Sequence, residues 1–162
     1  MTLKNWFEKQ RKLDHYIETT QAVTQDSLFT KKQVAFLVEL GELANETRCF
    51  KFWSKKPASE KSIILEEYID GFHFLLSLGI ELGFENETEW KEEQVDTDLT
   101  SLFKGMYQEL AVLSPEVNIE KYQHLFSMYI SLGSALGFTR AEMEAAYDEK
   151  NAINYQRQES GY

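Results

Sequence analysis

Two pairs of acidic residues stand at a spacing suited to holding a cation, Glu39-Leu40-Gly41-Glu42 and Glu67-Tyr68-Ile69-Asp70. On an α-helix, residues three apart lie about 60° apart around the axis and about 4.5 Å apart along it, so each pair aims two carboxylates the same way. Two such helices face to face make a four-carboxylate cage. Gathering that charge is costly unless a cation fills the centre, and hard oxygen donors suit Mg²⁺ or Mn²⁺. The pattern predicts magnesium-dependent phosphate chemistry.

The two pairs differ as evidence. In the first segment Phe36, Leu37, Leu40, Leu43 and Ala44 form an apolar stripe bordered by Glu39, Glu42 and Glu46, as on any amphipathic helix with a solvated edge. In the second, Ile63-Ile64-Leu65 and Ile69 through Leu82 are apolar around most of the circumference, and Glu67 and Asp70 share a face with Ile63, Phe74 and Leu78. Carboxylates buried there need a cation or a positive side chain. Glu66 points further round, and a choice between Glu66 and Glu67 stays open. His73, three residues after Asp70, fits either a satisfied core histidine or a ligand, as in carboxylate-x-x-His di-iron bundles. Such bundles need a second pair, which His15 and His124 do not supply, so an oxygen-only site with His73 hydrogen-bonding beside it is expected.

Lys150, Asn154 and Arg157 lie at spacings of four and three on one helical face. Arginine grips phosphate by its planar fork and lysine as a point charge, although a solvated terminal helix would look the same. The chain ends Gly161-Tyr162 beyond that helix, a tail able to fold over a ligand. In Arg48-Cys49-Phe50-Lys51-Phe52-Trp53, core packing or base stacking explains the aromatics, and Lys51 is placed to reach a phosphate.

These residues must be carried by helices. Only Pro57 and Pro115 interrupt long stretches at helical period, and the pattern predicts an all-α chain with helices at about 3–20, 30–53, 59–83, 97–113, 118–136 and 139–157. Ser59 reads as a helix N-cap, Ser114-Pro115 as a cap followed by proline, and residues 84–98 as an acidic loop or short helices. Residues 76–84 and 130–138 match at six of nine positions at an offset of 54. Both read as helix ends closed by glycine and an apolar residue, and a shared capping solution or a duplicated helical hairpin explains them. In a duplication, positions 67 and 70 correspond to Lys121 and His124, so the second copy lacks the carboxylates.

A length of 162 residues with 43% hydrophobic content predicts one folded domain. The net charge of −10 opposes sequence-independent nucleic-acid or anionic-membrane binding. A single cysteine, Cys49, excludes an intrachain disulfide and suits a reducing cytoplasm. No signal-peptide pattern or membrane-length apolar run is present.

The chain resembles the dimeric, all-α dUTP diphosphatases related to MazG-type nucleoside triphosphate pyrophosphohydrolases. The resemblance rests on Gln10-x-x-Leu13-Asp14, on Glu39-Leu-Gly-Glu42-Leu-Ala-Asn45-Glu46 running into Phe50-Lys51-Phe52-Trp53, on Glu67-x-x-Asp70-Gly-x-His73-Phe74, and on Lys150-Asn-x-x-Asn154-x-x-Arg157 with Gly161-Tyr162. It implies that Glu39, Glu42, Glu67 and Asp70 bind Mg²⁺ and that Glu39 orients or deprotonates the attacking water. It further implies phosphate contacts from Lys150, Asn154 and Arg157, with Lys51 and Tyr162, and uracil and deoxyribose contacts from Gln10, Asp14, Trp53 and His73. Asp14 departs from members that carry asparagine there. The implied activity is hydrolysis of dUTP, and of dUDP, to dUMP by a homodimer. The rival readings are a sister pyrophosphohydrolase acting on a nucleotide such as dCTP, and a non-catalytic acidic helical partner protein.

Overall fold

The computed structural model describes residues 2–23, 28–85, 98–116 and 119–161. They form six helices, α1 (Leu3–Thr20), α2 (Leu28–Thr47), α3 (Lys61–Glu81), α4 (Leu99–Ala111), α5 (Ile119–Ala135) and α6 (Arg140–Glu159), and no strand among the described residues. The expected acidic segment lies mostly in residues 86–97, outside the described residues, as does Tyr162.

α3 is the centre of the bundle, packed against α1, α2, α5 and α6. That position explains its sequence: residues from Ile69 to Gly79 are buried on nearly every side, with Phe74 and Asp70 half-buried. Trp6, Phe36, Tyr68, Phe72, Tyr129 and Tyr147 meet around it and are almost wholly removed from solvent. Ile63, expected on the buried face, is instead exposed near the start of the helix.

Several ends follow local chemistry. Thr2 caps α1, Asp98 caps α4 by accepting from the Thr100 and Ser101 amides, and Thr139 with Glu142 forms a reciprocal capping box on α6. Two boundaries differ from the sequence expectation. α2 stops at Thr47, not Trp53: the Thr47 hydroxyl donates to Ala44 O at 2.9 Å and Arg48 turns left-handed at φ 59°. The Arg48 guanidinium then donates to Ser54 Oγ and Lys56 O, at 2.6 and 3.1 Å, closing the loop on itself. Ser59 is not the cap of α3, which begins after Glu60; its amide and hydroxyl are spent on Glu46, tying the loop back to α2.

The internal echo has a three-dimensional counterpart. Gly83 and Gly137 both take φ near +77°, at 76° and 78°, and the Phe84 and Phe138 amides bond back to Gly79 O and Gly133 O. The likeness goes beyond capping. Tyr68 packs on Gly133 and donates to Tyr129 O at 3.2 Å, while Tyr122, its counterpart 54 residues on, packs on Gly79 and donates to Leu75 O at 2.9 Å. Each contact maps onto the other with the helices exchanged, as in a duplicated helical hairpin. Neither glycine has room for a Cβ, because the tyrosine hydroxyl occupies its place.

Candidate active site

The site lies where α1, α2, α3 and α6 converge. Glu39 of α2 and Glu67 and Asp70 of α3 each offer a carboxylate oxygen within 4.8 Å of the others. All three are half-buried, and the arrangement perturbs all three. Burial is the largest cause at Glu39, followed by the charges of Asp70, Glu42 and Glu67, and its carboxyl is pushed up to about 7. Glu67 is raised by burial and then by Asp70 and Glu42. Asp70 is raised by burial, against the opposing hydrogen bond and charge of Lys150. These donors are hard, clustered and short of positive charge, which fits a divalent cation bound by oxygen. Glu42 is exposed and stands outside this close group, near enough to raise both Glu39 and Glu67.

Lys150 of α6 is buried and reaches Asp70 at 2.7 Å and Glu66 at 3.0 Å. Glu66 therefore belongs to the lysine, and Glu67 to the carboxylate group. α6 is held in this position along α1 by Lys9 with Asp148, by Tyr16 with Tyr155 at 5.2 Å between rings, and by Gln21 with Gln158 at 2.8 Å. The face bearing Lys150, Asn154 and Arg157 is thus presented by a docked helix.

A cavity of about 530 Å³ opens beside the carboxylates and is lined by Glu39, Asp70, Asn154, Arg157, Gln10, Asp14 and His73 among others. Its inner end is a hydrogen-bonded group. Gln10 donates to Asp14 at 2.7 Å and accepts from the Tyr147 hydroxyl at 2.9 Å, with His73 Nδ1 2.7 Å from the same Gln10 oxygen. His73 stacks on Tyr147, with ring centroids 4.3 Å apart. Burial, then the nearby charge of Lys150, holds its pKa down at about 3, so the ring is neutral and makes no ion pair. It is not one of the three clustered ligands.

Sequence reasoning did not find Lys32, Ser77 or Tyr147. Lys32 is buried between three helices and binds Asp14, Glu18 and Glu81 at 3.4, 3.0 and 2.6 Å. Burial opposes its charge, yet Asp14, Glu81 and Glu18 together leave its pKa above the ordinary lysine value. The available signal was its register: Leu28, Lys32, Phe36 and Leu40 form one row at spacing four, a charge in an otherwise apolar series. Lys51 and Trp53 lie apart from this cavity in the same chain. Lys51 donates to Asn45, and Trp53, 65% exposed, packs on Phe50 and Phe52.

Acidic oxygen donors on two helices and cationic side chains on a third suit a phosphorylated substrate, and on this scaffold they place the protein among the all-α nucleotide hydrolases. A family model described as dUTPase matches residues 2–162. The chain belongs to the all-α dUTPase family, and it is accordingly a hydrolase of the dUTP diphosphatase type. No curated protein sequence matches it.

Proposed function

We propose that the protein is a divalent-metal-dependent dUTP diphosphatase that converts dUTP, and also dUDP, to dUMP, releasing pyrophosphate from dUTP. The observation that carries this reading is the cluster of Glu39, Glu67 and Asp70, of which Glu39 and Asp70 line a cavity that also presents the hydrogen-bonding side chains of Gln10, Asp14 and His73. A nucleotide has matching parts, phosphates for a cation held by the carboxylates and a base edge for the hydrogen-bonding side chains.

Glu39, Glu67 and Asp70, with Glu42 beside them, would hold Mg²⁺ or Mn²⁺. Such an ion supplies charge compensation for phosphate oxygens and acidifies a water. Glu39, which lines the cavity and belongs to the carboxylate cluster, is the group assigned to orient or deprotonate the attacking water. Lys150, paired with Asp70 and Glu66 outside the cavity lining, offsets negative charge at Asp70, and with Asn154 and Arg157, which line the cavity, it is assigned to the phosphates. Gln10, Asp14 and His73 receive the uracil and deoxyribose end. The family resemblance adds Lys51, Trp53 and Tyr162 to these contacts. A homodimer is part of the proposal: Phe52 and Trp53 are 94% and 65% exposed, and a second subunit is what would cover them. No described helix is long and apolar enough to cross a membrane. The single cysteine supports a reducing cytoplasmic setting.

The test is a comparison of kcat/KM for dUTP, dUDP and dCTP with product identification. The proposal expects dUMP from both uracil nucleotides and strong discrimination against dCTP. Equal turnover of dUTP and dCTP would favour a broader pyrophosphohydrolase, and no turnover of any nucleotide a non-catalytic partner protein.

A further inference from the structure

The hydrogen bonds at the inner end of the cavity have a direction. An ionised Asp14 has no proton to give, so the Gln10 atom 2.7 Å from it must be the amide nitrogen. The Gln10 oxygen is thereby turned to the other side, where it accepts from Tyr147 and faces His73 Nδ1 at 2.7 Å. An amide oxygen cannot donate, so Nδ1 carries the proton of the neutral imidazole. His73 Nε2 is left as a bare acceptor, buried and without a hydrogen-bond partner among the described residues, on a residue that lines the cavity. A buried acceptor of this kind is satisfied by a ligand donor and penalises a ligand that presents a lone pair.

Asp14 stays an acceptor because Lys32 and the Ser77 hydroxyl both address its Oδ2. We infer that Lys32 is a positioning residue for ligand selection: by holding Asp14 ionised it fixes the Gln10 amide and the His73 tautomer, so that Nε2 selects a ring N–H over a ring lone pair. Uracil presents N–H at its N3 and cytosine a lone pair there, so the relay deepens, and rests on, the proposed base-reading role of this end of the cavity. Without the Lys32 charge, a protonated Asp14 donates to Gln10, the amide turns over, and Nδ1 becomes the acceptor. His73 Nε2 then carries the proton, and the preference inverts.

The experiment combines ¹⁵N NMR of the His73 ring in nucleotide-free, full-length protein with kcat/KM for dUTP and dCTP. Wild type and Lys32→Arg should show a protonated Nδ1 and a bare Nε2. Lys32→Met should shift the proton toward Nε2 and lower the dUTP to dCTP preference about tenfold or more, as loss of a hydrogen-bonded discriminator does. Asp14→Ala, in which Lys32 keeps Glu18 and Glu81 as partners, should also mix the tautomers and serves if Lys32→Met does not fold. A wild-type ring protonated at Nε2, or an unchanged tautomer in the folded variants, overturns the relay. The NMR arm needs no substrate, so an inactive wild type with the expected tautomers would refute the proposed function and leave the relay standing.

Discussion

Glu39→Gln should stabilise the metal-free protein while abolishing its activity. The Glu39 carboxyl is moved from an ordinary 4.5 to about 7, chiefly by burial and then by Asp70, Glu42 and Glu67. Below about pH 4.5 the folded and unfolded chains both keep this proton, and there is no penalty. Between about 4.5 and 7 the unfolded chain releases it and the folded chain does not, so stability falls as pH rises; above about 7 the penalty is complete. Taken at full value the change corresponds to about 3 kcal/mol, but Glu39 is only half-buried and solvent screening reduces it to about 1–2 kcal/mol. For a chain of this length the variant should melt about 2–8 °C higher than wild type at about pH 8 in chelator, and the gap should close toward pH 4.5. Added Mg²⁺ should raise the wild-type Tm and leave the variant much less changed. Calorimetry across pH, with and without chelator, reads all of this. A variant no more stable than wild type at about pH 8, or a gain that persists unchanged at low pH, would refute the electrostatic reasoning.

Asp70→Asn should lower turnover by orders of magnitude with helicity intact, because it replaces one of three clustered carboxylates by a neutral, weaker amide donor; steady-state kinetics and circular dichroism check it. Arg157→Ala, at an exposed position lining the cavity, should lower kcat/KM about ten- to a hundredfold while shifting Tm by no more than about 2 °C. Gly133→Ala should cost about 1–3 kcal/mol in denaturant unfolding, since its Cβ would displace the Tyr68 hydroxyl, and Gly79→Ala should match it through Tyr122.

The helices were legible where local rules decide them. The repeated Leu-Gly-Phe ends close as the shared pattern indicates, whereas the two caps read from the sequence do not hold, Ser59 being spent on Glu46 and Ser114 standing five residues before α5 begins at Ile119. The end of α2 was not legible, because Phe50, Phe52 and Trp53 continue an apolar run whose meaning depends on Arg48 turning left-handed and Ser59 folding back onto Glu46. Glu67 and Asp70 were legible as a pair because both lie on one buried helix, and Glu39 joins them, whereas its expected partner Glu42 is exposed and stands outside the close group. Lys32 was not, because its partners Asp14, Glu18 and Glu81 come from two other helices and no spacing in the chain encodes that meeting. The place of Glu66 was likewise decided by Lys150, more than eighty residues away.

Whether a divalent cation held by Glu39, Glu67 and Asp70 is needed to hydrolyse dUTP can be read by following pyrophosphate release from dUTP through a cycle of metal. Release is expected in Mg²⁺, none after chelation, and full recovery when Mg²⁺ is restored, with Asp70→Asn silent throughout. Robust release of pyrophosphate in chelator would contradict it.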